Sequence, residues 1–195
     1  LFEHPYTEER LAEEIYLQPS TLANAEELAQ ESIVLLKNKG VLPLRKTGRI
    51  ALIGPHAESG VELLGNWPAR GKASEVISIL SGMKSELGAS AEIVSSKGCD
   101  FETASEHEIT EAVELAGNSD VIVLCLGEKS MWSGENCSRS SISLPAVQEN
   151  LLTRIKSAGK PVVVLIASGR PVDLSRIEPL ADALVEIWMP GTTAG

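Results

Sequence analysis

Short apolar runs and amphipathic stretches alternate along most of the chain. Residues 50–53, 121–126 and 162–167 are apolar throughout, and a glycine follows each run within two residues. Runs of this length and composition are typical of strands that are buried on both faces of a sheet. The pattern therefore predicts three core strands, and the runs at 91–95 and 183–187 predict two weaker ones.

Between these runs, apolar side chains recur at helical spacing. Residues 75–87, 105–116 and 145–158 each show this period, and a glycine follows each stretch. Ser105 and Glu108 have the spacing of a capping box at the start of the second stretch. The sequence therefore predicts three helices between the strands.

The N-terminal part of the chain is less regular. Residues 1–20 hold two prolines and no sustained period, which predicts an arm or linker that docks on another structure. Residues 24–38 have apolar side chains at helical spacing and predict a further helix. We expect residues 1–30 to form an inter-domain connector and residues 31–195 to form the main domain.

The order of these elements predicts the fold class. Fully apolar strands that alternate with helices of about a dozen residues indicate a parallel sheet covered on both faces by right-handed crossovers. We expect an α/β protein, namely a three-layer α/β/α sandwich with a mainly parallel, flavodoxin-like sheet. Ligands of such folds bind at the carboxyl ends of the strands, so the loops after Ile53, Leu126 and Ala167 are the candidate sites.

Composition and charge narrow the possible partners. A chain of 195 residues with 43% hydrophobic residues is typical of one globular domain, and its net charge of −10 argues against a nucleic-acid or anionic-membrane partner. No apolar run approaches the length of a membrane span, and no leader pattern stands at the start. Because the chain begins without methionine and ends in a Gly/Thr/Ala stretch, we expect it to be a fragment of a larger protein.

The cysteines and histidines do not suggest a metal site. The three cysteines are an odd number without metal-ligand spacing, and we interpret them as free thiols. None of the three histidines stands near another candidate ligand, and His107 is expected to face water on a helix. The sequence therefore predicts neither a metal nor a cofactor.

The loop after the first core strand offers groups that suit a sugar. Asn66, Trp67 and Arg70 lie between glycines, and an indole can pack against the apolar C–H face of a pyranose while polar neighbours bind its hydroxyls. The alternative is a tryptophan that only packs the loop down. A nucleotide-phosphate loop is disfavoured, because neither G-x-G-x-x-G nor G-x-x-x-x-G-K-[ST] is present.

The loop after Leu126 is long and polar and contains Glu128, Trp132 and Glu135. Long loops in compact domains are often functional, and Trp132 is a further candidate for substrate contact. A glycosidase needs one carboxylic acid to protonate the leaving oxygen and a second carboxylate to attack or to activate water. On this chemistry either glutamate could serve, and the alternative is two solvated loop glutamates.

The loop after Ala167 contains Arg170 and Asp173. Their charges are opposite, so they could pair with each other or with groups of a neighbouring loop. We interpret Arg170 as a structural residue.

Several segments together resemble one enzyme family. Residues 159–171, GKPVVVLIASGRP, resemble the G-K-P-x-V-x-V-x-x-x-G-R-P signature of family 3 glycoside hydrolases. The segments 31–38 with 42–44, 134–139 with Leu144-Pro145 and Gln148, and 188–191 are similar to other motifs of this family and occur in the family's order. The chain departs from the family pattern at Asn136-Cys137 and at 192–195.

The resemblance implies a function. Members combine a (β/α)8 barrel that supplies an aspartate nucleophile with a sandwich domain whose loop supplies the general acid/base, and here that role falls on Glu135. It implies a retaining exo-β-glycosidase, β-glucosidase-like, that acts on β-linked oligosaccharides or glycosides without a cofactor in the periplasm or outside the cell. The alternatives are a non-catalytic carbohydrate-binding or scaffold domain and a nucleotide- or phosphate-binding flavodoxin-like module.

Overall fold

A computed structural model describes residues 2–195, which form one sheet and five α-helices. The strands are β1 (Val34–Asn38), β2 (Gly48–Ile53), β3 (Ala91–Ser96), β4 (Val121–Gly127), β5 (Val162–Ala167) and β6 (Ala183–Glu186). The helices are α1 (Arg10–Ile15), α2 (Pro19–Ser32), α3 (Ile79–Leu87), α4 (Glu106–Gly117) and α5 (Ala146–Lys156). All five strands that the sequence predicted are present.

The sheet has the order β1-β6-β5-β4-β2-β3. Strands β2 to β6 are parallel, and β1 pairs antiparallel with β6 at the edge. The parallel strands, counted among themselves in chain order, run 2-1-3-4-5, which is the flavodoxin-like order. The predicted fold class is confirmed.

Helices on both faces bury the central strands. Successive residues of β4 alternate between two cores, so that Ile122 and Leu124 pack under α4 and α5, whereas Val123 and Cys125 pack on the opposite side with α3. This double burial explains why the core strands are apolar along their whole length. Neither α1 nor α2 contains a buried residue.

One prediction for the N-terminal part is wrong in detail. The helix expected over residues 24–38 ends at Ser32, and Val34–Asn38 is the strand β1. The apolar residues 33–36 suit either structure locally, and pairing with β6 selects the strand. The segment expected to be an arm or linker contains α1 and the start of α2, where Pro19 takes a first-turn position. Leu1, the first residue of that arm, lies outside the described residues.

The helix signals near the sheet are accurate to a few residues. The Ser105 hydroxyl accepts the Glu108 N–H at 3.2 Å, and the Glu108 carboxylate accepts the Ser105 N–H at 2.7 Å, so the capping box is confirmed. The helix expected from residue 75 begins only at Ile79. His107 is exposed on α4, as expected. Across residues 2–195, no helix combines the length and the apolar character that spanning a bilayer requires.

Candidate active site

Two glycines allow the candidate loops to leave the sheet at its carboxyl edge. Gly54 has φ +123°, and a Cβ there would lie 2.2 Å from the Cys125 carbonyl oxygen. Gly127 has φ +150°, and a Cβ there would lie 1.9 Å from the Ala167 carbonyl oxygen. Any other residue would therefore push adjacent strands apart. Glycine allows each loop to begin in contact with the backbone of the adjacent strand.

A small cavity of about 230 Å³ lies between the loops that follow β2 and β4. Its lining consists of Asn66, Trp67, Met131, Ser133, Glu135, Asn136 and Cys137. Three of the candidate site residues, Asn66, Trp67 and Glu135, are therefore close together. Arg70 and Trp132 do not line this cavity, and Arg70 is exposed.

Glu135 is exposed at the tip of a tight turn. Its neighbours Gly134 and Asn136 have φ +97° and +59°, and the Cys137 N–H donates to the Gly134 carbonyl at 3.2 Å. A Cβ at Gly134 would lie 1.6 Å from Asn66 Nδ2, so the turn packs directly on that amide. Asparagine tolerates the left-handed conformation, which gives the unusual Asn136 a physical reason.

The two candidate tryptophans differ in their surroundings. Trp67 is 71% exposed, so its ring is free to contact a ligand. Trp132 is half-buried, with the Arg139 guanidinium carbon 3.8 Å and the Lys129 ammonium 5.5 Å from its ring centroid. These cation–π contacts make Trp132 an anchor of its own loop.

Glu128 and Glu135, which the sequence left as alternatives, lie in opposite environments. Glu128 is fully buried, and its carboxylate accepts two hydrogen bonds from Arg170, from Nη2 at 2.8 Å and from Nε at 2.9 Å. The hydrogen bond to Glu128 raises the pKa of the Arg170 guanidinium. Arg170 therefore pairs with Glu128 and not with Asp173, and of the two glutamates only Glu135 faces the cavity.

His56 supports the backbone of Glu128. It is fully buried, and since a carbonyl can only accept, its Nε2 donates to the Glu128 carbonyl at 3.0 Å. Burial lowers the pKa of His56 to about 4, so the ring is neutral at neutral pH. Sequence reasoning missed this role, because a lone histidine directly after G-P has no partner at a recognisable spacing.

Gln148 is a second support that sequence reasoning missed. This buried side chain on α5 accepts the Gly127 N–H at 2.9 Å, and it donates to the carbonyls of Gly127 at 2.9 Å and Phe101 at 3.0 Å. It satisfies the N–H and carbonyl of Gly127, at the end of β4, and the carbonyl of Phe101 in the segment after β3. The only sequence signal was its place in the family motif.

Glu186 adds a second buried carboxyl group at the carboxyl edge. Its Oε1 accepts the Trp188 N–H at 3.0 Å and lies 3.2 Å from the Ser168 hydroxyl. Burial raises the pKa of Glu186 to about 7, and the nearby charge of Glu128 acts in the same direction. At neutral pH this group is divided between its protonated and ionised forms.

The cysteines are unpaired and, within residues 2–195, belong to no cluster of metal ligands. All three cysteines are free, as expected, and Cys137 is the half-buried one beside Glu135. Within residues 2–195, no three His, Cys, Asp or Glu side chains are grouped as metal ligands would be.

The geometry defines a flavodoxin-like α/β sandwich with a cavity at its carboxyl edge that contains, among the described residues, one carboxylate. Comparison with known families identifies the family of this domain. The model of the Glycosyl hydrolase family 3 C-terminal domain matches residues 33–195, and the chain belongs to this family.

Several relatives that are similar to the chain are named glycosidases. The periplasmic β-glucosidase of Salmonella typhimurium is 36% identical, over 88% of this chain and 25% of that protein. A β-xylosidase of Formosa agariphila is 35% identical, over 87% of this chain and 24% of that protein. The crystal structure of a β-glucosidase from Listeria innocua with gluconolactone superposes with a TM-score of 0.91 at 37% identity, covering 100% of this chain and 26% of that one. The chain thus spans about a quarter of these proteins.

Proposed function

We propose that this domain supplies Glu135 as the general acid/base of a retaining exo-β-glycosidase of the β-glucosidase type. The family assignment and the β-glucosidase and β-xylosidase relatives support this reaction class. Because these relatives are about four times longer, we infer that an N-terminal (β/α)8 barrel domain of the same protein supplies the aspartate nucleophile.

The composition of the cavity carries the proposal. Among the described residues, Glu135 is the only carboxylate that lines it. Retaining glycosidases use two carboxyl groups about 5–5.5 Å apart, one as nucleophile and one as acid/base. One exposed glutamate beside an open cavity is what a domain would contribute if the other carboxylate came from a second domain.

The residues of the site have distinct roles in this mechanism. In the first step the protonated Glu135 gives its proton to the glycosidic oxygen while the nucleophile of the barrel forms the glycosyl–enzyme bond. In the second step the Glu135 carboxylate removes a proton from water as that water attacks the sugar. Trp67 packs against the sugar ring and Asn66 binds a hydroxyl, whereas Arg70 and Trp132 contact more distant parts of the substrate.

The substrate class follows from the relatives. Their names specify β-glucosidase and β-xylosidase activity, so we propose that the enzyme removes terminal non-reducing β-D-glycosyl residues. The periplasmic Salmonella relative supports a periplasmic or secreted location.

Azide rescue of a Glu135→Ala variant in the full-length enzyme tests the proposal. With an aryl glycoside whose leaving group needs no protonation, the glycosyl–enzyme should still form, whereas its hydrolysis should slow by on the order of 10² to 10⁴. Azide attacks without losing a proton, so it should restore turnover and yield a β-glycosyl azide of retained configuration. The exposed surface variant Glu111→Ala is the control and should behave as wild type. An unrescued or fully active Glu135→Ala enzyme would rule out the role.

The exposed Trp67 also suits the second candidate, a non-catalytic carbohydrate-binding domain. That function requires the isolated chain to bind a β-glucoside and to lose binding in Trp67→Ala. If calorimetry detects such binding while Glu135→Ala leaves the full-length protein fully active, the non-catalytic function is the better description.

A further inference from the structure

We propose that Glu128 and Arg170 are positioning residues for Glu135, and that their ion pair holds the loop of residues 128–143, the Glu135 loop, in its working geometry. The inference rests on the proposed role of Glu135. Neither side chain lines the cavity, so both would act through the loop and not on the substrate.

The pair fixes the beginning of the Glu135 loop. The Glu128 N–H donates to the Ala167 carbonyl at 2.9 Å, which continues the sheet by one residue. The buried carboxylate then receives both Nε and Nη2 of Arg170, an arrangement that allows one orientation of the two planar groups. With His56 holding its carbonyl as well, Glu128 is fixed at its amide, carbonyl and side chain.

The same guanidinium fixes the end of the loop. Arg170 Nη2, which bonds Glu128, also donates to the Ser141 carbonyl at 2.7 Å. One residue further on, the Ile142 carbonyl accepts the Asp173 N–H at 2.8 Å, and Ser143 forms a bridge with Asp173. Arg170 therefore joins the two ends of the loop to each other and to the segment after β5.

The charge of Glu128 also reaches the middle of the loop. Arg139 Nε lies 3.8 Å from Glu128 Oε1, and its guanidinium covers the Trp132 ring. In the part of the chain that the structure describes, this Nε is buried without a hydrogen-bond partner, so the nearby carboxylate is its main compensation. Residues on both sides of Glu135, at 132 and 139, are thus held by one buried charge.

Stability alone does not account for this arrangement. Burying an ion pair costs desolvation, and apolar side chains of similar volume often stabilise a fold equally well or better. A displacement of about 1 Å at a catalytic group can cost on the order of 10²-fold in rate. The pair is therefore better explained by the position that it gives to Glu135 than by the stability of the sandwich.

The double variant Glu128→Leu/Arg170→Met in the full-length enzyme separates the two explanations. A misplaced acid slows only bond cleavage that needs a proton. We expect kcat/KM for phenyl β-D-glucoside, whose phenol has a pKa of about 10, to fall 30- to 100-fold. For 2,4-dinitrophenyl β-D-glucoside, kcat/KM should stay within threefold of wild type. The corresponding xylosides replace these probes if the enzyme prefers xylose.

The ratio of the two kcat/KM values is the decisive measurement, because it does not depend on how much of the enzyme is folded. Arg170→Lys, which cannot form the paired hydrogen bonds, should change the ratio in the same direction by a smaller factor. The control is Lys156→Met/Asp182→Asn, which removes an ion pair beside the first residue of β5, at the opposite edge of the sheet, and should leave the ratio unchanged.

The outcomes distinguish this inference from the proposed function. If Glu135→Ala shows azide rescue but the double variant and Arg170→Lys both keep the wild-type ratio, the positioning role is wrong and the pair is only structural. If Glu135→Ala shows no rescue, the proposed function itself fails. A ratio that changes together with rescue of Glu135→Ala supports both.

Discussion

Two buried ionisable side chains respond to pH in opposite directions. Burial raises the pKa of Glu186 to about 7, compared with 4.5 in the unfolded chain. Its protonated form therefore contributes fully to the free energy of unfolding below pH 4.5, and this contribution is lost as the pH rises through 7. Burial lowers the pKa of His56 to about 4, compared with 6.5 in the unfolded chain. Its neutral form therefore contributes fully to the free energy of unfolding above pH 6.5, and this contribution is lost as the pH falls through 4. Between pH 4.5 and 6.5 the two effects oppose each other.

The Glu186→Gln variant should separate these effects. Glutamine can still accept the Trp188 N–H but does not ionise. The variant should therefore not lose unfolding free energy above pH 4.5 through this position. Relative to wild type, we expect the variant's unfolding free energy to increase by roughly 1 to 3 kcal/mol between pH 4.5 and 7.5. Urea denaturation across this range measures the difference, with Glu111→Gln as a surface control. If the unfolding free energies of variant and wild type change in parallel with pH, the raised pKa of Glu186 is wrong.

At the scale of elements, the local sequence predicts the strands at the centre of the sheet better than the strand β1 at its edge. Strands β2, β4 and β5 were predicted correctly because burial on both faces leaves a mark in the local sequence. Strand β1 was not, because its register depends on β6, which lies about 150 residues further along the chain. A helical period in the residues before it then extended the predicted helix too far.

The same distinction applies to the candidate site. Loop position and residue chemistry selected Asn66, Trp67 and Arg70, and the first two line the cavity. Residue chemistry left Glu135 and Glu128 as alternatives, and only the family resemblance singled out Glu135, which lines the same cavity. The supports at His56 and Gln148 were not predicted, because each acts through hydrogen bonds to a distant segment. Which of the two glutamates faces the cavity also depended on such a distant partner, Arg170.

Gln148 links helix α5 to the end of β4, and its removal should destabilise the domain. Gln148→Met keeps the approximate volume but leaves the Gly127 N–H and the carbonyls of Gly127 and Phe101 without their partner. We expect a loss of about 2 to 4 kcal/mol in unfolding free energy. Urea denaturation checks this, and Gln30→Met on the exposed surface of α2 should change stability by less than about 0.5 kcal/mol. A comparable effect at both positions would show that the three hydrogen bonds contribute little.

At the scale of the whole molecule, the isolated 195-residue chain should be inactive. Its cavity is lined by one carboxylate among the described residues, so under the proposed mechanism it would supply an acid but no nucleophile. We expect no hydrolysis of an aryl β-glucoside above the buffer rate, measured by release of the phenol at concentrations that detect the full-length enzyme. Turnover by the pure chain that Glu135→Ala abolishes would refute the two-domain site.

Because both ends of the Glu135 loop are held in place, the length of the loop can change among related domains. Since hydrogen bonds to the segment at the end of β5 and after it already hold residues 128 and 143 in place, the entropy of closing the loop depends only weakly on the number of residues between them. Doubling that number costs about 0.6 kcal/mol, a small part of the stability of a typical domain. Insertions and deletions next to the exposed residue 135, outside the packed contacts of Trp132, Gly134 and Arg139, therefore cost little loop-closure entropy while they move the tip that carries Glu135. Under the proposed function, the sandwich would be a constant support on which loops of different length present the acid to substrates of different shape.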